Sequence, residues 1–183
     1  MTSVNNQPEN TSSETPNLFL IGFMGSGKST ISSKLSEKLG RKVIEMDAEI
    51  EKREGRTINE IFATDGESYF RDVESALVRE IDETGGMIVS CGGGVVLRQE
   101  NVEAMKRHGR IIYLSATPET IYQRVRYSTN RPILNGHMNV EYIAELMKKR
   151  LDLYLGAADV IVETDGKKIP EIVGEIERLV NES

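Results

Sequence analysis

A glycine-rich run at residues 22–30, GFMGSGKST, constrains the fold of this chain more than any other segment. An apolar stretch at residues 18–21 stands directly before it, and apolar residues at helical spacing follow it as far as Leu39. A buried strand, a glycine-rich turn and a helix in this order are typical of a loop whose backbone N–H groups surround a triphosphate. The sequence therefore predicts a phosphate-binding loop.

The residues of this loop match the pattern G-x4-G-K-[ST], which indicates a role for each of them. We expect Lys28 to reach the β- and γ-phosphates and the Ser29 hydroxyl to bind Mg²⁺. The alternative is a glycine-rich turn with an incidental lysine, which the flanking strand and helix signals disfavour. The predicted ATP-binding residues of the loop are Gly25, Ser26, Gly27, Lys28, Ser29 and Thr30.

The charge balance limits the partners of the chain. Its 183 residues include 29 acidic and 23 basic ones, a net charge of -6, which argues against a nucleic-acid surface or an anionic membrane. No apolar run approaches membrane-spanning length, the opening residues lack a signal-peptide pattern, and the single cysteine, Cys91, cannot form an internal disulfide. We therefore expect a cytoplasmic protein without a nucleic-acid or membrane partner. A monomer is expected as well, although these features do not determine the oligomeric state.

The polarity of the chain changes after its first 17 residues. Residues 1–17 are polar and rich in Ser, Thr, Asn and Pro, so we expect a disordered leader followed by one domain over residues 18–183. Strand-like runs then alternate with helical spacing, which predicts a three-layer α/β/α fold: a five-stranded parallel sheet with helices on both faces. The predicted strands are residues 18–21, 42–47, 86–90, 110–114 and 159–162.

Two helix starts and one flap are also predicted. Thr57 and Glu60 match a capping box, and Thr117 followed by Pro118 supplies an N-cap and a first-turn proline. The chain turns polar over residues 126–138, as a surface flap does.

Polar residues stand where the predicted strands end, which is the edge at which ligands bind in parallel sheets. Glu45 and Asp47 end the second strand, and strand alternation predicts that both carboxylates lie on one side, near Mg²⁺ and an acceptor hydroxyl. The alternative is that they only favour the start of the next helix. Residues 92–94, three glycines after the third strand, predict either a close backbone approach to a substrate or a plain turn.

Arginines are the remaining candidates, because paired guanidinium hydrogen bonds suit phosphate or carboxylate. Each one alone could equally be a solvated helix-face residue. We expect the two histidines, His108 and His137, on the surface and Cys91 as a space-filling core residue. The arginine candidates are Arg71, Arg124, Arg126, Arg131 and Arg150.

Taken in order, six elements of the sequence resemble the shikimate kinase family, and the resemblance covers the chain from about residue 18 onward. The phosphate loop is shared by many kinases, whereas the later elements in this order are more specific. The six elements are GFMGSGKST, Glu45-Met46-Asp47, Gly66-Glu67 with Phe70-Arg71, Gly92-Gly93-Gly94, Arg131-Pro132-Ile133-Leu134 and Lys149-Arg150.

The resemblance implies the P-loop kinase fold of the nucleoside-monophosphate-kinase group, with a mobile lid. It implies ATP-dependent phosphorylation of the 3-hydroxyl of shikimate, a step toward chorismate and the aromatic amino acids, with Mg²⁺ bound. It assigns Asp47 to the ring hydroxyls, Arg71 and Arg150 to the shikimate carboxylate, Gly93 to the acceptor region, and Arg131 and Lys167 to ATP, with Arg124 as a further lid-side candidate. By the same resemblance the catalytic residues are Lys28, Asp47 and Arg131.

The sequence departs from the family at one acidic position. The family commonly has Asp where this chain has Glu45, and we expect Glu45 to hold Mg²⁺ through a water. No acidic residue ends the third strand, where Ser90 stands. Two alternatives remain open at this stage: a related small-molecule kinase such as a gluconate kinase, and a nucleotide-binding regulatory module that has lost phosphoryl transfer.

Overall fold

The structure, a computed structural model, describes residues 15–127 and 139–182 and contains one parallel sheet within them. The strand order is β2-β3-β1-β4-β5, so the strand that leads into the glycine-rich loop is central. Every residue of that central strand is buried. The predicted five-stranded parallel sheet is confirmed, with strands β1 (Asn17–Ile21), β2 (Val43–Glu45), β3 (Ile88–Ser90), β4 (Gly109–Ser115) and β5 (Val160–Glu163).

Helices cover both faces of the sheet, because side chains alternate along each buried strand. The helices are α1 (Lys28–Leu39), α2 (Met46–Glu54), α3 (Ile58–Thr64), α4 (Gly66–Asp82), α5 (Gln99–His108), α6 (Pro118–Val125), α7 (Val140–Ala157) and α8 (Ile169–Asn181). Leu18 and Leu20 pack with α1 and α8, whereas Phe19 and Ile21 pack with α2–α5 and α7, so the predicted three-layer arrangement is confirmed.

A third apolar cluster packs the glycine-rich loop against the two helices that precede and follow residues 128–138 in the sequence. Phe23 of the loop lies with Ile121 and Val125 of α6 and with Ile143 of α7. The predicted flap falls largely on residues 128–138, which include Arg131 and His137 and lie outside the described residues.

The second strand is shorter than predicted. It ends at Glu45, and α2 begins at Met46, whose side chain is fully buried, with Glu45 as its N-cap. Asp47 therefore lies in the first turn of a helix, where an acidic side chain is favourable to the helix dipole. The prediction that strand alternation puts Glu45 and Asp47 on one side is wrong, and the alternative, acidic residues at a helix start, describes Asp47 better.

Two further features differ from the sequence prediction. Helix α5 was not predicted, and β1 starts one residue earlier than expected, at Asn17. The buried Asn17 amide donates to the Ile81 carbonyl at 3.0 Å and accepts from the Met87 N–H at 2.8 Å. The predicted caps of α3 and α6 at Thr57 and Thr117 are confirmed. Over the described ranges, none of the helices has the length and apolarity needed to span a membrane.

Candidate active site

A cavity of about 760 Å³ opens at the carboxyl ends of the strands, where parallel sheets bind their ligands. The glycine-rich loop forms one wall, from Met24 to Ile31. The other lining residues include Glu45, Asp47 and Glu51 on the β2–α2 side, Ser90 at the end of β3 with Cys91 and Gly93 after it, and Arg124, Thr164, Lys167 and Ile169 near β5 and α8. Glu45 and Asp47 thus face the same cavity, although not through strand alternation.

The backbone of the glycine-rich loop follows a path that only glycine adopts readily. Gly25 and Gly27 have φ angles of 78° and 100°, in the left-handed region. Helix α1 begins at Lys28 with Gly27 as its N-cap, and the Gly27 position offers no side chain to cap the first N–H groups. These N–H groups and the positive end of the helix are therefore available to an anion in the cavity.

Lys28 lies across this loop. Its Nζ donates to the carbonyl oxygens of Gly22 at 2.8 Å and Phe23 at 3.1 Å. The ammonium group is thereby held beside the loop amides at the cavity wall, close to where they would place a phosphate chain.

A hydroxyl and a carboxylate meet at the start of α1. Ser29 Oγ donates to Glu45 Oε2 at 3.0 Å, and Ser32 Oγ donates to Glu45 Oε1, also at 3.0 Å. Oxygen donors of this kind suit Mg²⁺, which keeps several waters and takes substrate phosphates as ligands. Within residues 15–127 and 139–182, no group of three His, Cys, Asp or Glu side chains forms a metal site of its own. The oxygen atoms of Ser29 and Glu45 fit an Mg²⁺ ion that takes phosphates and waters as its other ligands.

The glycines after β3 allow charged side chains to approach the backbone closely. A Cβ atom on Gly92 would lie 2.7 Å from Glu74 Oε1 and 3.0 Å from Asp47 Oδ1, and a Cβ atom on Gly94 would overlap the Arg71 guanidinium. The glycines therefore leave room for the side chains of Glu74, Asp47 and Arg71 beside this backbone, whereas the approach of a substrate to it stays a prediction.

Arg71 and its partner Glu74 lie on the inner face of α4. Arg71 Nη1 donates to Glu74 Oε2 at 2.8 Å, and the guanidinium lies 5.1 Å from the centre of the Phe70 ring. Glu74 is fully buried, and its Oε1 has no hydrogen-bond partner among the described residues. Burial raises the pKa of the Glu74 carboxyl, and the Arg71 charge opposes this rise. Arg71 is thus fixed beside the glycine segment by a buried carboxylate.

Glu74 was not among the residues predicted from the sequence. Its spacing was the available signal, because a glutamate three residues after Arg71 on a helix can pair with it. Its burial could not be inferred, since Glu is among the residues least often fully buried.

Arg150 reaches the same glycine segment from α7. Its Nη1 donates to the Gly93 carbonyl oxygen at 3.3 Å, and the Tyr154 hydroxyl donates to that oxygen at 2.5 Å. Arg71 and Arg150 therefore approach residues 92–94 from two different helices, with Asp47 beside Gly92. Two guanidinium groups that converge in this way suit a carboxylate.

The other side of the cavity carries Arg124 and Lys167. Arg124 Nη1 donates to the Ser26 carbonyl at 3.2 Å and to Thr164 Oγ1 at 3.1 Å, so it links the glycine-rich loop to the end of β5. Lys167 Nζ donates to Glu175 at 2.6 Å. Both basic side chains line the cavity, and their assignment to the nucleotide side stays a prediction.

The family model for shikimate kinase matches residues 24–181. The chain belongs to the shikimate kinase family. It is 44% identical to a shikimate kinase of Dehalococcoides mccartyi strain BAV1, over 88% of this chain and 91% of the relative. It is 42% identical to a shikimate kinase of Persephonella marina, over 87% of this chain and 96% of the relative.

Solved structures of the shikimate kinase family resemble this fold. The shikimate kinase of Acinetobacter baumannii in complex with shikimate superposes with a TM-score of 0.87 at 33% identity, over 92% of this chain and 94% of that one. The shikimate kinase of Aquifex aeolicus superposes with a TM-score of 0.76 at 32% identity, over 91% of this chain and 96% of that one. A gluconokinase of Sinorhizobium meliloti superposes with a TM-score of 0.54 at 18% identity, and this likeness shows only that the fold is shared.

Of the other residues that the sequence singled out, Arg126 and His108 do not line the cavity. Arg126 is exposed, and its guanidinium carbon lies over the Tyr127 ring, 4.8 Å from the ring centre. His108 lies on the surface, as predicted, with Nδ1 3.2 Å from Asp82. Cys91 is buried, and burial raises the pKa of its thiol, so it is the space-filling residue that the sequence predicted. Arg131, which the shikimate kinase resemblance assigned to ATP, lies outside the described residues.

Proposed function

We propose that this protein transfers the γ-phosphoryl group of ATP to the 3-hydroxyl of shikimate, giving shikimate 3-phosphate and ADP. One observation carries the proposal: Arg71 and Arg150 both approach the glycine segment beside Asp47, and this segment packs against the phosphate-binding loop. A regulatory module that only binds nucleotide needs no such group of acceptor residues. Gluconate also carries a carboxylate, so the choice of acceptor rests on the family as well.

The phosphate loop is the proposed binding site for the nucleotide. Backbone amides of the loop and the start of α1 would hold the β- and γ-phosphates, and Lys28 would turn its ammonium group from the loop carbonyls to them. Bound Mg²⁺, held by Ser29 and through water by Glu45, would neutralise negative charge on the phosphates. The proposed ATP-binding residues are Gly25, Ser26, Gly27, Lys28, Ser29, Thr30, Arg131 and Lys167.

The acceptor side is proposed to orient one hydroxyl. Arg71 and Arg150 would bind the shikimate carboxylate through paired hydrogen bonds, which fixes the ring relative to Asp47 and Gly93. Asp47 would accept a hydrogen bond from the 3-hydroxyl and take its proton late in the transfer. Because the transition state of phosphoryl transfer is loose, alignment and charge neutralisation by Lys28 and Arg131 would supply most of the catalysis. One chain provides all of these groups.

The proposal is tested by ADP release in a coupled assay with shikimate, quinate and gluconate as separate acceptors. We expect release that depends on shikimate and is far slower with the other two. Lys28→Met should lower the turnover number by at least about a hundredfold while the fold is retained. The reason is that the negative charge of the transition state would lose the ammonium group that stabilises it.

Lys34→Met is the matched control. Lys34 lies on the same helix, pairs with Glu37 at the surface and does not line the cavity, so its loss should change turnover by less than about twofold. Release that depends on gluconate would favour the related kinase. Nucleotide binding without release for any acceptor would favour the regulatory module, and near-normal turnover of Lys28→Met would refute the role of Lys28.

A further inference from the structure

One backbone oxygen in the glycine segment receives two hydrogen bonds from the same helix. Arg150 and Tyr154 are one turn apart on α7, and both donate to the Gly93 carbonyl, at 3.3 Å from the guanidinium and 2.5 Å from the hydroxyl. Residues four apart on a helix lie on the same face, which explains how both reach one atom. The Gly93 carbonyl therefore has a short bond to a neutral donor and a long bond to a charged one.

The position of the Tyr154 hydroxyl is fixed by the packing of its ring. Tyr154 is 1% exposed, and its ring stacks on Tyr113 of β4 with centroids 5.1 Å apart and planes 12° apart. Burial raises the pKa of Tyr154 to about 12, so the hydroxyl keeps its proton at neutral pH and remains a donor. Rotation of this ring that carried the hydroxyl away would break the stack.

Under the proposed function, Arg150 also binds the substrate, whereas Tyr154 does not. Its guanidinium is the proposed partner of the shikimate carboxylate, and a charge-assisted bond to a carboxylate is stronger than one to a neutral carbonyl. When Arg150 turns to the substrate, its long bond to Gly93 weakens or breaks. A backbone carbonyl in a largely buried segment is unfavourable without a partner, so a second donor must hold it.

We infer that Tyr154 is a positioning residue of the acceptor site: its hydroxyl holds the Gly93 carbonyl, which leaves Arg150 available to the substrate carboxylate. The inference rests on the proposed function. Gly93 itself packs near the phosphate loop, since a Cβ atom there would lie 3.7 Å from the Gly22 carbonyl oxygen and from the Met24 nitrogen. The Tyr154 hydroxyl thus also maintains the spacing between the glycine segment and the phosphate loop.

Tyr154→Phe tests this inference, because it removes the donor and keeps the stacked ring. Arg150 then remains the one donor that α7 gives to the Gly93 carbonyl, and substrate binding must break that bond. We expect the Michaelis constant for shikimate to rise by about tenfold, the equivalent of one hydrogen bond, while that for ATP changes by less than about twofold. Both constants are measured in the ADP-release assay, and thermal unfolding of each variant is recorded in parallel.

Tyr113→Phe is the matched control. It alters the other ring of the same stack, and its hydroxyl pairs with Ser115 rather than with the Gly93 carbonyl. We expect both of its Michaelis constants to stay within about twofold of the wild type.

An unchanged Michaelis constant for shikimate in Tyr154→Phe would overturn the inference. So would an equal rise for ATP and shikimate, or the same rise in Tyr113→Phe, since a merely structural role predicts those results. The wild-type enzyme, assayed alongside, separates the two proposals. If it turns over shikimate, only the role of Tyr154 is at stake; if it turns over no carboxylate acceptor at all, the proposed function and this inference both fail.

Discussion

At the scale of single residues, the position of Arg71 depends on a carboxylate whose burial is unfavourable. Burial of Glu74 disfavours its charged form and raises its pKa. Its Oε2 nevertheless accepts a hydrogen bond from Arg71 Nη1 at 2.8 Å. A guanidinium on a helix has many rotamers, and a buried partner selects one of them before the substrate arrives. Under the proposed function, Glu74 would contribute to binding through Arg71, although neither side chain is part of the cavity lining.

Glu74→Gln should weaken shikimate binding, because the amide keeps the shape of the side chain but loses its charge. We expect the Michaelis constant for shikimate to rise by roughly tenfold, as for one charge-assisted hydrogen bond, with little change for ATP. Steady-state kinetics with each substrate varied in turn measures the two effects.

Glu67→Gln is the control for this prediction. Glu67 Oε1 also accepts from Arg71, from Nη2 at 3.3 Å and from Nε at 3.4 Å. The Glu67 side chain is largely exposed, and an ion pair in such a position contributes little free energy. An effect of Glu67→Gln as large as that of Glu74→Gln would show that burial of the partner is irrelevant.

At the scale of elements, the glycine segment after β3 leaves space that charged side chains of other elements occupy. The atoms that a Cβ on Gly94 would overlap belong to the end of the Arg71 side chain, not to rigid backbone. A long side chain can move aside more cheaply than a packed core can be displaced. The cost of a side chain at this position should therefore appear in substrate binding more than in folding.

Gly94→Ala is predicted to fold but to displace the Arg71 guanidinium. We expect the Michaelis constant for shikimate to rise by roughly tenfold or more, with a loss of less than about 2 kcal/mol in the free energy of unfolding. Kinetics and urea denaturation measure the two quantities.

Gly174→Ala is the matched glycine substitution. Gly174 lies inside α8, and within the described part of the chain no neighbouring atom comes within 4 Å of the place that an alanine methyl would take. Alanine should therefore stabilise the protein by about 0.5–1 kcal/mol and leave the kinetics unchanged. If Gly94→Ala instead unfolds the protein while its kinetics per folded molecule stay normal, the segment serves folding and not the position of Arg71.

The elements that the sequence predicted well share a strong local signal. The glycine-rich loop, the apolar strands and the caps at Thr57 and Thr117 are all determined by residues within a few positions of one another. The elements that it missed depend on distant partners or on burial. Asn17 enters β1 because α4 and the segment before β3 satisfy its amide, and Glu74 is buried because Arg71 pairs with it. Strand β2 ends early because Met46 is buried at the start of α2.

At the scale of the whole molecule, the strand order separates the two halves of the site. β1 and its phosphate loop lie at the centre, with β3 and β2 on one side and β4 and β5 on the other. The acceptor candidates Asp47, Arg71 and Gly93 belong to elements that follow β2 and β3, whereas Arg124 and Lys167 follow β4 and β5. Arg150 of α7 crosses to the acceptor side through Gly93. Each substrate should therefore stabilise the fold through a different set of residues.

This separation predicts how ligands protect the protein from heat. ADP with Mg²⁺ and shikimate should each raise the melting temperature of the wild type, since a ligand at about 100 times its dissociation constant adds roughly 2.7 kcal/mol. Arg71→Ala should lose most of the rise in melting temperature caused by shikimate and keep the rise caused by ADP, because the Arg71 guanidinium lies beside Gly94 of the glycine segment. Lys28→Met should show the opposite pattern. If either variant lost both rises equally, the two halves of the cavity would not bind their substrates through separate residues, and the assignment of Arg71 to the carboxylate would fail with that result.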